Sequence, residues 1–387
     1  MALKIRIAYL IDTISSDKAG TEKQLLNIIE RLDRDVFEIT LVCLHESPWM
    51  LRNRLPCEVL SLGYRGFLKP GFPAVMWRYL RVLNSRRFDV VQTFFEDSIF
   101  VGFLGKVLSQ NKHSLIVSRR DLGLGSDEPG YHWIYKSIMP LIFGFIDGIA
   151  TNAMAIKTNL IEQEKASPEK IQVIGNGIDV PVFSRNIPSI IQQYQSVIWL
   201  GIVANLKPVK RIDIFLRALA YIKDNGSGER VRAVVLGEGR LRPELVQLAS
   251  DLGIAEQVHF AGALDNVNDY LHCIDIAVLC SDKEGLSNAI LEYMACGLPV
   301  VVTGAGGNGE LVDETNGECV PTGDPEALAK SLVKLIEAPQ LRNKLGANSL
   351  EKVRQNFTWG KIIPQWESYY RSLVPKQVPG SDLIGEG

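Results

Sequence analysis

A chain of 387 residues is too long for one ordinary domain and suits two. Charged residues make up 22% of it and hydrophobic residues 46%, a globular composition that excludes a disordered chain. There are 42 Lys and Arg against 44 Asp and Glu, so the net charge of -2 gives no electrostatic basis for binding nucleic acid.

The cysteines and the apolar segments indicate in which cellular compartment the protein is expected. The six cysteines form no CxxC pair, and the five histidines show no zinc-type spacing. We therefore expect reduced cysteines and a cytoplasmic protein. Residues 1–11 show no signal-peptide cleavage pattern, and the apolar run 138–146 is too short to span a bilayer.

Short apolar runs rich in β-formers alternate with amphipathic helical patterns along the whole chain. The predicted strands of the first half are 5–11, 37–44, 58–62, 89–94, 114–118, 148–151 and 171–175. Those of the second half are 196–204, 231–237, 258–262, 274–280 and 299–303. Helical patterns lie between them, for example at 21–32, 96–109, 211–224 and 242–253. This alternation predicts an α/β fold with parallel sheets that are covered on both faces.

Two prolines, Pro181 and Pro188, interrupt the alternation near the middle of the chain. We predict one Rossmann-like domain over 1–182 and a second over 196–357. Ligands of such sheets bind at the carboxyl ends of the strands, so two facing units would share a cleft. The chain is mainly helical after residue 324, with a last helix predicted over 358–374, and residues 375–387 are typical of a disordered tail.

The segment EGLSNAILE, residues 284–292, is the most informative one for function. Glu284 precedes a predicted helix and Glu292 lies within it. The first helical turn, near Leu286 and Ser287, carries free backbone N–H groups and the positive end of the dipole, which suit a phosphate. A carboxylate two turns further on can accept hydrogen bonds from sugar hydroxyls. The segment therefore predicts a site for a nucleotide-sugar.

These residues resemble those of the retaining family-4 glycosyltransferases, which have the GT-B fold. Glu284 and Glu292 form a Glu-x7-Glu pair, and VANLKPVKRIDIFLRAL (203–219), IGNGID (174–179) and KAGTEKQLL (18–26) match further segments in the expected order. The resemblance implies two Rossmann-like domains facing across a cleft, an N-terminal one for the acceptor and a C-terminal one for the donor. It also implies that the last helix packs back on the N-terminal domain.

The activity implied by the resemblance is transfer of a sugar, with retention, from a nucleoside-diphosphate-sugar to an acceptor hydroxyl. It would serve polysaccharide, glycolipid or other cell-envelope glycan synthesis. Glu284 would contact the donor sugar, Glu292 the ribose and Lys210 the diphosphate, with Lys210 and Glu284 as the catalytic residues. The donor-binding set is Gly20, Asn205, Lys210, Gly237, Glu284, Gly285, Leu286, Ser287 and Glu292.

Two positions depart from the family's pattern. Asn205 stands where the family often has Arg, so one phosphate-binding cation is missing. The segment SRRDLG (118–123) stands where the family often has a His near the end of the fifth strand. Arg119, Arg120 and Asp121 are therefore candidates for acceptor or phosphate contacts, since Arg is the preferred clamp for phosphate.

Two further patterns suggest cofactors that we do not expect. GAGGNG (304–309) fits the dinucleotide fingerprint, but the following helical pattern is broken at Gly317. We interpret it as a glycine-rich loop that lines the donor pocket. Asp33 and Asp35 resemble a DxD metal motif but lie in a turn at the wrong end of a strand. We expect no cofactor and no metal.

Residues 64–87 interleave aromatic and basic side chains, and two interpretations stay open. The segment is either a helix packed on the sheet with a basic outer face, or an interfacial helix docked on anionic lipid. The second would place the protein on the inner face of the membrane, near a lipid-linked acceptor. The residues concerned are Phe72, Trp77 and Tyr79 with Arg65, Lys69, Arg78, Arg81, Arg86 and Arg87.

Rival functions also stay open. A nucleotide-sugar epimerase can use the same two-domain fold, and a non-catalytic nucleotide-sugar-binding protein would keep the fold but lose Lys210 or the Glu pair. A phosphorylase-like enzyme would need a cofactor lysine motif that is not visible. The sequence does not specify the sugar, the base, the acceptor or the oligomeric state.

Overall fold

The computed structural model describes residues 4–64, 66, 69–122, 132–182, 186–194 and 196–374. The predicted tail 375–387 and the basic residue Arg65 lie outside the described residues.

The first sheet is built from the N-terminal part of the chain. Its strands are β1 (Ile5–Ile11), β2 (Phe37–Cys43), β3 (Glu58–Ser61), β4 (Val90–Phe94), β5 (Ser114–Arg119), β6 (Gly148–Thr151) and β7 (Ile171–Val173). They pair in the order β3-β2-β1-β4-β5-β6-β7. The helices are α1 (Gly20–Arg31), α2 (Pro48–Arg52), α3 (Phe72–Arg86), α4 (Glu96–Leu108), α5 (His132–Phe145), α6 (Met154–Glu162) and α7 (Ser189–Gln193).

The second sheet follows the same plan. Its strands are β8 (Ile198–Val203), β9 (Val231–Leu236), β10 (Val258–Gly262), β11 (Ile276–Leu279), β12 (Val300–Thr303) and β13 (Gly317–Val320), in the order β10-β9-β8-β11-β12-β13. The helices are α8 (Ile212–Ile222), α9 (Arg242–Asp251), α10 (Val267–Leu271), α11 (Asn288–Ala295), α12 (Asn308–Leu311), α13 (Pro325–Glu337), α14 (Pro339–Asn356) and α15 (Trp359–Leu373).

The strands pair in parallel in both sheets, which confirms the predicted α/β fold. Central strands such as β4 and β12 are buried along their whole length, as parallel strands with helices on both faces must be. In each sheet the strand order reverses beside the first strand, between β1 and β4 and between β8 and β11. Ligand crevices of open α/β sheets form at such reversals, at the carboxyl ends of the strands.

The last helix, α15, returns to the N-terminal domain as predicted. Its buried residues Trp359, Trp366 and Tyr370 share one hydrophobic cluster with residues of β1 and β2. The Tyr370 hydroxyl lies 2.9 Å from that of Tyr9 and donates to Gln92 Oε1 at 2.7 Å. The final segment of the chain therefore completes the core of the first domain.

One strand, β13, was not predicted from the sequence. The predicted break at Gly317 is instead the start of this edge strand, where a side chain would lie 2.0 Å from the carbonyl oxygen of Val300. The helix that follows the GAGGNG motif, α12, has only four residues. The motif therefore does not open the long helix that a dinucleotide site requires, in agreement with the prediction.

Candidate functional site

The predicted phosphate seat is the start of α11. Ser287 is the N-cap, and its hydroxyl accepts a hydrogen bond from the Ile290 N–H. Tyr293, one turn further on, fixes the helix to the neighbouring sheet because its hydroxyl accepts from Val203 N–H at 2.6 Å. The first turn of α11 is thus held beside the carboxyl end of β8, with amides that lack intrahelical partners.

Lys210 and Glu284 form an ion pair beside this turn. The Lys210 ammonium donates to Glu284 Oε1, which also accepts from the Ser281 hydroxyl at 2.6 Å. The two ionic side chains are 23% and 11% exposed, respectively. Both side chains line the same cleft, beside the first turn of α11.

An ion pair and a hydrogen bond hold the turn that carries Lys210 against the loop that carries Glu284. Arg211 adopts a left-handed backbone conformation with φ 47° at the start of α8, and its guanidinium pairs with both Asp213 and Asp282. The Asp282 N–H donates to the carbonyl of Val209 at 2.9 Å. These contacts fix the position of the Lys210 ammonium relative to the α11 amides.

Glu292 lies two turns from Glu284 and faces the other domain. Its carboxylate pairs with the ammonium of Lys23, from α1, at 2.7 Å. The two side chains are 21% and 37% exposed, so a ligand can reach both. Lys23 was not predicted, although it lies on α1 only one turn after Gly20.

Gly20, Gly237 and Asn205 line the cleft. Asn288, in the first turn of α11, donates to the Gly20 carbonyl at 3.2 Å across the domain boundary. Gly237 has φ 137°, and a side chain there would lie 2.0 Å from the Ala204 carbonyl. Asn205 is the residue after Ala204, and it is exposed in the cleft. The glycines thus bring main chain close to the place where a ligand would bind.

The side-chain amide of Asn176 forms hydrogen bonds with residues of both domains. Its Nδ2 donates to the Leu286 carbonyl at 2.9 Å and to Asn288 Oδ1 at 2.8 Å. Its Oδ1 accepts from Arg120 at 2.9 Å and from Asn152 at 3.1 Å. The segment 174–179 therefore connects the two domains through Asn176, which also lines the cleft.

The three candidates at the end of β5 have different surroundings. Arg119 is bound by both carboxylate oxygens of Glu164, at 2.6 and 2.7 Å, and is 5% exposed. Asp121 is exposed and lies 4.0 Å from Arg119. Among the described residues that line the cleft, Arg120 is present and the other two are absent. Burial lowers the pKa of Arg120 to about 10, which leaves it charged at neutral pH.

The cleft between the domains has a volume of about 780 Å³. All nine residues of the predicted donor-binding set line it, together with Arg120. Cleft residues that sequence reasoning missed lie mostly in the N-terminal domain or face it, and they include Lys18, Lys23, Gln24, Asn152, Asp265 and Asn288.

The glycine-rich loop 304–309 does not have its predicted place. It is not among the described residues that line the cleft but lies behind them, where the Gly307 N–H donates to the Gly285 carbonyl at 3.0 Å. A side chain at Gly306 would lie 1.9 Å from the Glu284 carbonyl. The loop supports the site from behind because only glycines allow this approach. Glu310 extends the contact by accepting from the N–H groups of Met154 and Ala155 at the start of α6.

The helix over 72–86 shows which residues of the aromatic and basic segment belong to the core. Tyr79 is fully buried, and Phe72 packs edge-on against Tyr64. Trp77 is 62% exposed, with the Arg81 guanidinium 5.6 Å from its ring centre. The outer face of α3 therefore carries one aromatic side chain among exposed arginines, as both interpretations of the segment allow.

The described residues contain neither a group of metal ligands nor a membrane-spanning helix. In that part of the chain, no three His, Cys, Asp or Glu side chains are grouped so that they could hold a metal ion. None of the helices described here is both long and apolar enough to cross a bilayer.

Two Rossmann-like domains that face each other across a cleft define the GT-B class of glycosyltransferases. Two family models match the chain, "Glycosyltransferase Family 4" over residues 19–181 and "Glycosyl transferases group 1" over 197–338. The chain belongs to glycosyltransferase family 4.

Individual relatives agree with this assignment. N-acetyl-alpha-D-glucosaminyl L-malate synthase of Bacillus anthracis is 30% identical over 228 residues, which are 57% of this chain and 59% of that protein. An Escherichia coli UDP-Gal:alpha-D-GlcNAc-diphosphoundecaprenol alpha-1,3-galactosyltransferase is 23% identical over 96% of this chain and 98% of its own. Anabaena HepE in complex with UDP shares the fold, with a TM-score of 0.78 and 22% identity over 95% of this chain and all of its own.

Proposed function

We propose that the protein transfers a sugar from a nucleoside-diphosphate-sugar to an acceptor hydroxyl, with retention at the anomeric carbon, in cell-envelope glycan synthesis. The observation that carries this proposal is the convergence of Lys210, Glu284, Glu292 and the first turn of α11 on one cleft. A helix start beside a fixed ammonium suits a diphosphate, and the carboxylates on either side suit hydroxyl groups. The diphosphoundecaprenol-linked acceptor in the name of the Escherichia coli relative supports an envelope glycan as product.

Each group then has a role in the reaction. Lys210 and the amides near Leu286 and Ser287 stabilise the negative charge that develops on the leaving diphosphate. Glu284 accepts hydrogen bonds from the donor sugar and Glu292 from the ribose. The bond from the anomeric carbon to the diphosphate oxygen breaks, and a bond to the acceptor oxygen forms on the same face. The acceptor proton moves to the leaving phosphate oxygen, so no side-chain base is required.

We propose a UDP-sugar as the donor and a glycan or lipid-linked hydroxyl as the acceptor. UDP occurs in the solved relative HepE, and UDP-galactose and a diphosphoundecaprenol acceptor occur in the name of the Escherichia coli relative. A lipid-linked acceptor suits contact of the exposed Trp77 and arginines of α3 with the inner face of the membrane. We propose no metal and no cofactor for the transfer.

The activity is tested with labelled UDP-sugars, offered with and without lipid-linked saccharide acceptors. We expect labelled glycan and stoichiometric UDP only when an acceptor is present, and the same rate with EDTA. Isomerisation of the donor without an acceptor would identify an epimerase instead. Stabilisation of the fold by UDP, without turnover of any UDP-sugar, would identify a non-catalytic binding protein.

A further inference from the structure

The positive charges that line the cleft differ in how they are balanced. The described cleft-lining residues include four cations, Lys18, Lys23, Arg120 and Lys210. Lys18 pairs with Asp265, and the other two lysines pair with Glu292 and Glu284. Within the described ranges, no carboxylate lies within 4.0 Å of the Arg120 guanidinium, whose one side-chain partner is the neutral amide of Asn176. Arg120 therefore brings to the cleft a charge that no described acid neutralises.

The position of Arg120 relates it to the phosphate seat. The same Asn176 side chain that accepts from Arg120 donates to Leu286 and Asn288, in the first turn of α11. The Arg120 main chain also packs directly on Gly285, since a side chain at Gly285 would lie 2.2 Å from the Arg120 carbonyl. The guanidinium is thus separated from the α11 turn by one amide.

Arg120 is half-buried at the cleft, which makes the missing counter-charge significant. Removing a guanidinium from water is unfavourable unless an opposite charge or several hydrogen bonds compensate. The lowered pKa of Arg120 reflects this desolvation, yet the group stays protonated at neutral pH. Its planar set of donors fits the oxygens of a phosphate better than any other side chain does.

We propose that Arg120 is a phosphate-binding residue of the donor site, supplied by the N-terminal domain in place of the cation that Asn205 does not provide. This inference rests on the proposed function. Under it, Lys210 holds the diphosphate from the C-terminal domain, and Arg120 reaches it from the opposite wall. Full affinity for the diphosphate then requires both domains, whereas the nucleoside needs only the C-terminal one.

The test compares UDP with uridine by titration calorimetry on the full chain. We expect Arg120→Gln to weaken UDP binding by about 10- to 100-fold, the range for loss of a charged hydrogen bond, and to leave uridine binding unchanged. Arg120→Lys keeps the charge but not the planar donors, so its loss should be smaller. Adding Asn205→Arg to Arg120→Gln should recover much of the UDP affinity. Lys207→Met removes an exposed cation that lies on the turn before Lys210 and does not line the cleft, and it should change UDP affinity by less than about twofold.

Three results would overturn the inference. Equal loss of UDP and uridine binding would mean that Arg120 only shapes the pocket. Unchanged UDP affinity with slower transfer would place an anionic acceptor at Arg120. Failure of Asn205→Arg to compensate, in a double variant that melts like the parent, would exclude a shared phosphate. If the parent protein bound UDP no tighter than uridine, the proposed donor site itself would fail.

Discussion

Lys210 and Glu284 hold each other in place before any ligand arrives. A ligand that presents a phosphate to Lys210 and hydroxyls to Glu284 can use both groups without unfolding their surroundings, since Arg211 and Ser281 keep the two loops fixed. Such preorganisation is the condition under which charged groups stabilise a transition state most.

Replacement of Lys210 by Met tests its role at the reacting centre. We expect kcat to fall by roughly 10²–10³, the range found when one donor to a developing oxyanion is removed. The matched control is Lys207→Met, because Lys207 is exposed on the same turn but does not line the cleft. An unchanged single-turnover rate in Lys210→Met would contradict the phosphate role.

The sequence named more cleft residues in the C-terminal domain than in the N-terminal one. Glu284 and Glu292 lie within one local pattern with a helix start between them, and Lys210 lies in a second segment, 203–219. Lys23 and Asn176 gain their place only when the two domains approach, which no local spacing encodes. The adjacent residues Arg119 and Arg120 could not be separated from the sequence because the distinction depends on Glu164, far along the chain.

Among the elements, α15 contributes to the core of the first domain although it lies at the other end of the chain. It contributes Trp366 and Tyr370, both almost fully buried, to a cluster that otherwise consists mainly of N-terminal residues. The glycine at 177 accommodates the start of this helix, because a side chain there would lie 2.3 Å from the Trp359 ring. The helix is therefore part of the core of the N-terminal domain.

Removal of one large side chain from α15 tests this. Trp366→Ala should lower the free energy of unfolding by ~3–5 kcal/mol, the usual cost of deleting a buried aromatic ring. Urea unfolding of the N-terminal domain measures the change, with Ser368→Ala on the exposed face of α15 as the control. A loss in Trp366→Ala as small as that of the control would show that the helix does not belong to the core.

Most elements follow from apolar periodicity, and the exceptions have a physical reason. Strand β13 is short, lies at the edge of its sheet and has the sequence GECV, so its four residues form neither an apolar run nor a clear alternation. The helix after the glycine-rich loop 304–309 has four residues, and the sequence indicated its shortness only through the break at Gly317. The position of the loop behind Glu284 depends on close contacts between main chains, which the sequence signals only as glycine.

At the scale of the whole molecule, the proposed membrane contact would place the outer face of α3 against the bilayer. Trp77 and Arg81 form an exposed pair one turn apart, with Arg78 beside them. Aromatic and basic side chains together favour the headgroup region of an anionic bilayer, with about 1 kcal/mol for each basic residue.

Vesicle sedimentation tests this contact. We expect the protein to sediment with phosphatidylglycerol vesicles and not with phosphatidylcholine vesicles, and the double variant Trp77→Ser, Arg81→Gln to bind several-fold more weakly, as the loss of about 1 kcal/mol or more implies. Arg217→Gln with Tyr221→Ser is the matched control, since it removes an exposed aromatic and basic pair at the same spacing from the other domain. Equal binding by the two double variants would exclude α3 as the contact.

Helix α15 follows the C-terminal domain in the sequence but packs in the N-terminal domain of the folded molecule. By sequence the helix belongs to the C-terminal half, yet its buried side chains complete the interior of the N-terminal domain. A chimaera that takes its C-terminal domain from another enzyme must therefore keep residues 358–374 of the original chain. For the same reason, a cut between Val182 and Ser196 would leave two fragments that still associate through this helix.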